Sequence, residues 1–497
     1  MTATRPTQGW LGPLLLRLHF YAAILVGPFL LISAASGALC ALSPQLEKVV
    51  YAHELTAPSD AASLPLAAQV EAAQEHVGED AQLAAVRPAP QPGDTTRVMY
   101  ADDALGESET RAIFLDPGTG EIRGDLTVYG TSGALPLRGW IDQLHRNLHL
   151  GDAGRLYSEL SASWLGVIAA AGLGLWIRRA RRARRRDLLH PDLRARGYRR
   201  TLSLHSSAGI WVLLGALFLA ATGITWSQNG GGNIGTVREA LGFTTEAVDA
   251  RLPVASASGA AGSAAEHEGH AEHAEQGDHA EHAEHAEHAT GAAGDAEVDA
   301  SGHADPAVID DVLAAGEAVN IDTGLVEILP PADDSSAWVV QEIQRSYPTE
   351  VDAVAVDGTT FEVVDRSDFA DQDLAAKLTR WGIDLHMGTM FGLANQIVLF
   401  LIASTLVAMI LWGYRMWWQR RPTRGTRGPG RPPQRGALRR APWWGAGLVL
   451  LVAAGIGVML PLLGASLAGF VLLDTALGRL HAGGPHGRTT SARPSAT

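Results

Sequence analysis

Cysteine is nearly absent from this sequence, and so are the motifs of common soluble enzymes. Cys40 is the single cysteine among 497 residues, which excludes an internal disulfide and any zinc or iron–sulfur site built from cysteine ligands. The sequence has no Walker A motif, no H-E-x-x-H pair and no G-x-S-x-G elbow. Gly230 to Gly235 match G-x-G-x-x-G, but they follow an apolar stretch rather than a strand, so we expect a flexible loop there.

Charge is absent from five long stretches. No Asp, Glu, Lys or Arg occurs between Arg17 and Glu47, Glu159 and Arg178, Arg200 and Arg238, Asp384 and Arg415, or Arg440 and Asp474. Each stretch can hold the roughly 20 apolar residues that cross a bilayer. A soluble core does not require such uncharged runs, so the sequence predicts a membrane protein with five spans in a lipid bilayer.

The charged residues are divided between segments of opposite sign. Arg178 to Arg200 contain 11 basic and 2 acidic residues, and Arg415 to Arg440 contain 9 basic and no acidic residues. Residues 42–144 contain 6 basic and 16 acidic residues, and residues 227–385 contain 6 and 32. Because basic connections face the cytoplasm, we expect the N-terminus inside and both acidic segments outside a bacterial cytoplasmic membrane. Arginine runs also bind nucleic acid, but their position beside apolar stretches favours the topological explanation, and we expect no nucleic-acid partner.

The chain contains an internal repeat. His19 and Gly37 are 18 residues apart at the first apolar stretch, and His205 and Gly223 are 18 residues apart at the third. A Trp, a His and a Gly with identical spacing precede the second and fourth stretches, at Trp140, His145 and Gly151 and at Trp381, His386 and Gly392. The repeating unit is therefore a span, a large polar segment, a Trp-x4-His preface and a second span.

The repeat predicts an α-helical membrane bundle, with a four-helix core from a tandem duplication plus a fifth span, and two extracytoplasmic α+β domains. In chain order the predicted segments are 1–42 (first span), 43–139 (first outer domain), 140–177 (second span with its His preface), 178–202 (basic loop), 203–227 (third span), 228–380 (second outer domain), 381–414 (fourth span), 415–441 (basic loop), 442–473 (fifth span) and 474–497 (outer tail). Periodicity in the outer domains predicts helices over Pro65–Val77 and Pro306–Val319 and strands over Thr110–Leu115, Ala337–Ile343 and Glu350–Val356.

Four histidines occupy repeat-matched positions near the ends of the predicted spans. A helix of 18 residues rises roughly 27 Å, close to the apolar thickness of a bilayer, so His19 and His205 lie near the cytoplasmic side. The same topology puts His145 and His386 near the outer side. Imidazoles are costly in hydrocarbon unless they face the bundle interior with a partner. Facing pairs of neutral imidazoles supply the two axial ligands of a haem iron, which predicts two b-type haems.

An alternative is that these histidines are structural and hydrogen-bond headgroups or neighbouring helices. His149 follows His145 by four residues and would share its helix face, but its repeat counterpart is Met390. We therefore expect His149 to be a secondary group at the outer haem, or the ligand in place of His145.

The sequence resembles the PepSY-associated transmembrane family over about residues 10–420, in particular its iron-uptake members and siderophore reductases. The motifs that carry the resemblance are Arg17-Leu18-His19, Gln143-Leu144-His145-Arg146-Asn147-Leu148, Gly154-Arg155, Leu204-His205 and Leu385-His386-Met387-Gly388 followed by Phe391-Gly392. The resemblance implies two bis-histidine b haems, PepSY-like outer domains and electron transfer to ferric siderophores. Carried over to these positions, it implies His19 and His205 as the inner ligands and His145 and His386 as the outer ligands. The fifth span and a His-rich insertion depart from the family pattern.

The His-rich insertion covers residues 255–305 and has no apolar periodicity, which is typical of a disordered loop. Its regularly spaced histidines are His267, His270, His273, His279, His282, His285 and His288. Such tracts bind zinc, copper or nickel weakly, and imidazole does not select among these metals. A solvated linker with incidental metal affinity is the alternative.

These features predict a haem-dependent reductase that passes electrons across the membrane to an outer acceptor, and the resemblance implies that this acceptor is a ferric siderophore. The basic loops are too short for a flavin or nicotinamide domain, so the electron donor is expected to be a separate molecule, a quinol or a cytoplasmic reductase. Two other classes fit the same sequence. One is a non-enzymatic membrane protein that handles copper or zinc, and the other is a PepSY-type regulatory protein.

Overall fold

The computed structural model describes residues 9–181, 186–243, 247–252, 305–420, 433 and 436–482. The α-helices, in chain order, are α1 (Leu11–Leu25), α2 (Gly27–Val50), α3 (Ala52–Leu55), α4 (Leu66–Val77), α5 (Pro136–Asn147), α6 (Gly151–Ala180), α7 (Arg186–Leu189), α8 (Gly197–Thr225), α9 (Gln228–Ala240), α10 (Ile309–Glu317), α11 (Leu374–Met387), α12 (Gly392–Gln419), α13 (Trp443–Met459) and α14 (Pro461–Ala482). The β-strands are β1 (Leu83–Arg87), β2 (Thr96–Tyr100), β3 (Glu109–Leu115), β4 (Ile122–Tyr129), β5 (Val326–Leu329), β6 (Trp338–Glu342), β7 (Ala353–Val356) and β8 (Val363–Ser367). Short 3-10 helices lie at Pro306–Val308, Phe369–Asp371 and Leu438–Arg440.

Among the described residues, α2, α6, α8 and α12 are long and apolar enough to cross a membrane. They correspond to the first four predicted spans. Apolar side chains cover these helices on nearly all faces, because lipid rather than water is the solvent around them. The protein is therefore a multi-pass membrane protein with a helical bundle.

The predicted first span is interrupted between α1 and α2. Pro28 has no N–H to donate to the carbonyl of Ile24, which leaves that oxygen without its helical partner. The hydroxyl of Tyr414 donates to this carbonyl at 2.9 Å. Gly27 gives the phenol room, since a methyl group placed on Gly27 would lie 2.7 Å from Tyr414 Oη. A neighbouring helix thus satisfies the carbonyl that the proline frees, as an apolar environment demands.

The predicted fifth span, 442–473, is wrong as a single helix. Leu460 has φ −124° and ψ 79°, outside the helical region, and Pro461 begins a second helix. A methyl group placed on Gly464 would lie 2.7 Å from the Cα of Gly457, so α13 and α14 turn back on each other and pack closely. Helix α14 continues to Ala482, and the rest of the predicted outer tail lies outside the described residues.

The expectation of a flexible loop at Gly230 to Gly235 is also wrong, because these residues lie in α9. The carboxylate of Glu159, which is 1% exposed, accepts the backbone N–H of Asn229 at 3.0 Å and that of Gly230 at 3.2 Å. These N–H groups belong to the first turn of α9, so Glu159 caps the helix together with Ser227, whose Oγ accepts the N–H of Gly231 at 3.1 Å. A methyl group on Gly231 would lie 2.6 Å from the carbonyl oxygen of Thr225, which explains the need for glycine there.

The two predicted outer domains form one antiparallel sheet, with strand order β4-β3-β2-β1-β5-β6-β7-β8. Within it, β3 confirms the strand predicted over Thr110–Leu115 and β6 the one over Ala337–Ile343, whereas β7 covers only the end of the one over Glu350–Val356. Helices α4 and α10 confirm the predicted helices and pack against the sheet.

The centre of the sheet joins the two halves of the chain. Val86 of β1 pairs with Ile328 of β5, and both are fully buried in one apolar core that draws on both halves. The carboxylate of Asp310 accepts the N–H groups of Leu66 at 2.7 Å and Ala67 at 2.9 Å, so a side chain from the second half caps α4 in the first. The prediction of two separate domains is therefore corrected to a single sheet with a shared core.

A buried ion pair crosses this central seam. Arg87 Nε donates to Glu327 at 2.8 Å, and the two side chains are 9% and 10% exposed. Gln341 Nε2 donates to the second oxygen of Glu327 at 2.6 Å, and Arg87 also donates to the carbonyl of Thr131 at 2.8 Å. Because each charge has close partners, removing one partner leaves the other buried without compensation.

We predict that Glu327→Gln destabilises the sheet by about 3 to 5 kcal/mol, because the guanidinium of Arg87 then stays buried without a counter-charge. Hydrogen exchange of β1 and β5 amides in the full chain measures this loss. The matched control is Asp125→Asn, which breaks an ion pair with Arg111 whose side chains are 34% and 36% exposed, and which should change stability by less than about 1 kcal/mol. Equal exchange in the two variants would contradict the prediction.

Candidate functional site

The four predicted haem ligands fall in two separate compact units. The first unit takes its described residues from Met1–Pro28, Glu159–Ile234 and Gly413–Thr497, and the second from Phe29–Ser158 and Gly235–Trp412. His19 and His205 belong to the first unit, whereas His145 and His386 belong to the second. Each unit thus contains the two histidines of one predicted pair.

The rings of His19 and His205 lie close together, with centroids 6.2 Å apart and ring planes at 79°. His19 is the ninth residue of α1 and His205 the ninth of α8, so each lies about 12 Å along its helix. Since metal–imidazole bonds are about 2 Å long, two imidazoles that bind one metal from opposite sides have centroids roughly 6 Å apart. The observed spacing suits a shared metal.

Helix α6 forms the third side of this site, beside α1 with His19 and α8 with His205. His19 Nδ1 lies 3.0 Å from the carbonyl oxygen of Ile168, and this oxygen can only accept, so Nδ1 carries the proton. A methyl group placed on Gly172 would lie 3.3 Å from His19 Cε1, which means the ring rests directly on the glycine. The Nε2 lone pair of His19 is thereby left for a ligand, in the arrangement that metal-binding histidines adopt.

His145 is held in the same tautomer by α2. Its Nδ1 lies 3.0 Å from Ser36 Oγ, whose own proton is donated to the carbonyl of Ile32 at 2.9 Å. The hydroxyl therefore accepts from His145, and Nδ1 carries the proton. A methyl group on Gly37 would lie 3.1 Å from His145 Cε1. The repeat-matched glycine that the sequence singled out thus contacts a predicted ligand.

His386 lies close enough to His145 for the two to interact electrostatically. Burial, and secondly the charge of His145, lower the pKa of His386 to about 3. Burial also lowers the pKa of His145. Both imidazoles are therefore neutral near pH 7, which is the form that binds a metal. Asn395 Nδ2 donates to the carbonyl of Leu385 at 2.9 Å and fixes the end of α11 beside His386.

Buried charges anchor the helices that carry this second pair. Glu47 of α2 accepts the N–H of Leu135 at 2.8 Å at the start of α5, and Arg138 lies 3.9 Å from the same carboxylate. On α11, Arg380 pairs with the fully buried Asp384 at 3.1 Å. These pairs are intrahelical or near helix ends, so they set the position of α5 and α11 rather than touch the imidazoles.

The premise that His149 shares a helix face with His145 is wrong. Helix α5 ends at Asn147, and His149 is exposed with a left-handed φ of 56°. Its ring stacks on Trp140, with centroids 5.0 Å apart and planes at 31°. An i to i+4 argument requires a continuous helix, and no glycine or proline lies between these two residues to mark its end.

Several buried donor and acceptor atoms near the two pairs have no hydrogen-bond partner among the described residues. In the first unit these are Trp176 Nε1 and Arg179 Nη1, and in the second they are Arg380 Nη2, Trp381 Nε1 and Asn395 Oδ1. Buried polar atoms are nearly always paired, so such atoms indicate a missing partner. The sequence did not predict these unpaired atoms, because only the folded structure shows whether a Trp or Arg side-chain atom is buried without a partner.

The residues present fit the cofactor that the resemblance implies. Each pair brings two imidazoles together, and glycine backbone at Gly172 and Gly37 leaves space where a Cβ would crowd the rings. Unpaired N–H groups near both pairs suit a ligand with carboxylate groups, as a haem has. His19, His205, His145 and His386 would hold two such groups.

An acidic cluster elsewhere was not predicted. Ligand oxygens of Glu342, Glu350 and Asp352 lie within 4.8 Å of one another. Burial and the neighbouring carboxylates raise the pKa of Asp352 to about 6. Glu342 accepts the N–H groups of Asp322 and Thr323, both at 2.8 Å, so it holds the turn before β5. The histidines of the His-rich insertion, 255–305, lie outside the described residues.

The family model of the PepSY-associated TM region matches residues 16–420 of this chain. The chain belongs to this family. The match includes all four histidines and the whole eight-stranded sheet, and it ends before α13 and α14. No curated protein matches the chain.

We predict that His19 and His145 are both protonated at Nδ1 in the full chain in lipid, because their partners are acceptors. Nitrogen-15 NMR of histidine-labelled protein near pH 7 distinguishes the tautomers. The nitrogen-15 signals of the exposed His149 provide the reference for a ring whose two tautomers exchange in water. A signal from His19 with the proton on Nε2 would contradict the assignment.

Proposed function

We propose that this protein is a di-haem b membrane reductase of the bacterial cytoplasmic membrane, which passes electrons to an extracytoplasmic ferric siderophore in iron uptake. The observation that carries the proposal is the 6.2 Å separation of the ring centroids of His19 and His205, in a chain whose family match includes all four histidines. A haem iron with two imidazole ligands supplies one-electron transfer.

The chain's own residues prepare the ligation. Ile168 and Ser36 accept the Nδ1 protons of His19 and His145, so each ring is fixed in orientation and its Nε2 lone pair is available. Hydrogen bonding at Nδ1 also raises the basicity of Nε2. Burial keeps the imidazoles of His145 and His386 neutral, which leaves them free to bind a metal.

The proposed orientation of the chain in the membrane rests on the charge distribution. The arginine-rich connections after Arg178 and Arg415 favour the cytoplasmic side, and the two large acidic segments favour the outer side. The electron donor is then a quinol or a cytoplasmic reductase. A ferric siderophore suits the outer end, because Fe(II) binds hard oxygen ligands less tightly than Fe(III) and is released more readily.

We predict close to two haems per chain in protein purified from haem-replete cells, with a low-spin b-type spectrum. His19→Ala and His386→Ala should each remove about one haem, from different sites, because each deletes one axial ligand. His149→Ala should leave both haems in place, since its ring stacks on Trp140. Pyridine haemochrome assay and reduced-minus-oxidised spectra measure the content. Colourless wild-type protein would overturn the proposed function.

We also predict that a ferric siderophore reoxidises the chemically reduced protein and releases iron that a ferrous chelator traps. His386→Ala should slow this reaction at least about tenfold, since the ligand pair nearer the acceptor is broken. A gallium-loaded siderophore, which binds alike but is not reduced under these conditions, is the control. Equal reoxidation with iron and gallium would exclude the siderophore as acceptor.

A further inference from the structure

Two buried donors of α6 lack partners. Trp176 Nε1 and Arg179 Nη1 are shielded from solvent, and neither has a hydrogen-bond partner among the described residues. An unpaired buried donor costs on the order of 1 to 3 kcal/mol, and more when it is charged. An arginine near the apolar part of a membrane protein is expected to have a counter-charge or a polar partner. The two atoms therefore indicate a ligand that the described chain does not supply.

These donors share one helix face with the site of His19. Gly172, Trp176 and Arg179 are spaced i, i+4 and i+7, which aligns them along a single stripe of α6. The ring of His19 rests on Gly172. Trp176 lies about 6 Å and Arg179 about 10 Å further along the helix axis, toward its end at Ala180. The stripe runs from the imidazole to the two unpaired N–H groups.

The neighbouring arginines have different surroundings. The guanidinium of Arg178 lies against Gly12 of α1, where any side chain would collide with it. Arg181 is exposed at the end of the helix. Arg179 alone among these three has a buried, unpaired N–H, and it forms no ion pair with a described carboxylate. Its position, rather than the general basicity of the segment, requires an anionic partner.

We propose that Trp176 and Arg179 bind the carboxylate side chains of the porphyrin held between His19 and His205. This assignment rests on the proposed function. An indole N–H and a guanidinium both donate to carboxylate oxygens, and the charged bond is the stronger. The porphyrin is thereby oriented with its carboxylates toward the Ala180 end of α6.

The test compares haem b with its dimethyl ester, in which both carboxylates are blocked. Full-length protein from haem-deficient cells is loaded with either compound in lipid nanodiscs, and haem loss to excess apomyoglobin is followed optically. Arg179→Gln and Trp176→Phe should each release one of the two free-acid haems at least about tenfold faster than wild type. With the dimethyl ester, the variants and the wild type should release it at the same rate.

Matched controls are Arg181→Gln, which alters an exposed arginine two residues away, and Trp211→Phe, which alters a tryptophan that is 69% exposed. Neither should change haem release. The slowly released haem at His145 and His386 reports that each variant is folded. The carboxylate assignment alone is overturned if the variants release free-acid haem no faster than wild type does. It is also overturned if a variant releases haem b and its dimethyl ester equally fast. Wild-type protein that binds neither compound overturns the proposed function and this assignment together.

Discussion

The structure depends on one constraint, which is that a polar group removed from water must find a partner within the protein. The constraint is visible at two irregular points of the helices. Tyr414 donates to the carbonyl that Pro28 leaves unpaired, and Glu159 accepts the first N–H groups of α9. The same rule fixes the imidazole of His19 through the carbonyl of Ile168, and thereby decides which of its nitrogens is left for a ligand.

The sequence was most informative where its pattern is long or repeated. Uncharged stretches located the four long spans, and the repeat located four histidines that the structure brings together in two pairs. The features it missed depend on tertiary contacts. The pairing of β1 with β5 joins strands about 240 residues apart, and no periodicity encodes such a partner. Likewise, the reversal at Leu460 occurs within continuous apolar sequence, where only Pro461 hints at a break.

The glycines illustrate why local rules succeed only in part. Gly37 was noticed for its spacing, and it proved to lie against the ring of His145. Gly172 was not noticed, although it plays the same role for His19, because its neighbours along the chain give no sign of the helix opposite. At Gly230, composition suggested flexibility, whereas a carboxylate 71 residues away in sequence orders the segment as a helix.

The strand order has a consequence for the synthesis of the protein. The first four strands are complete by Tyr129, but β1, which becomes a central strand, lacks its neighbour until β5 is made. Two long helices, α6 and α8, separate these events along the chain. During that interval the half-sheet presents an unsatisfied hydrogen-bonding edge that can recruit the wrong strand. The sheet is therefore closed at this edge only after the second half of the chain has been made.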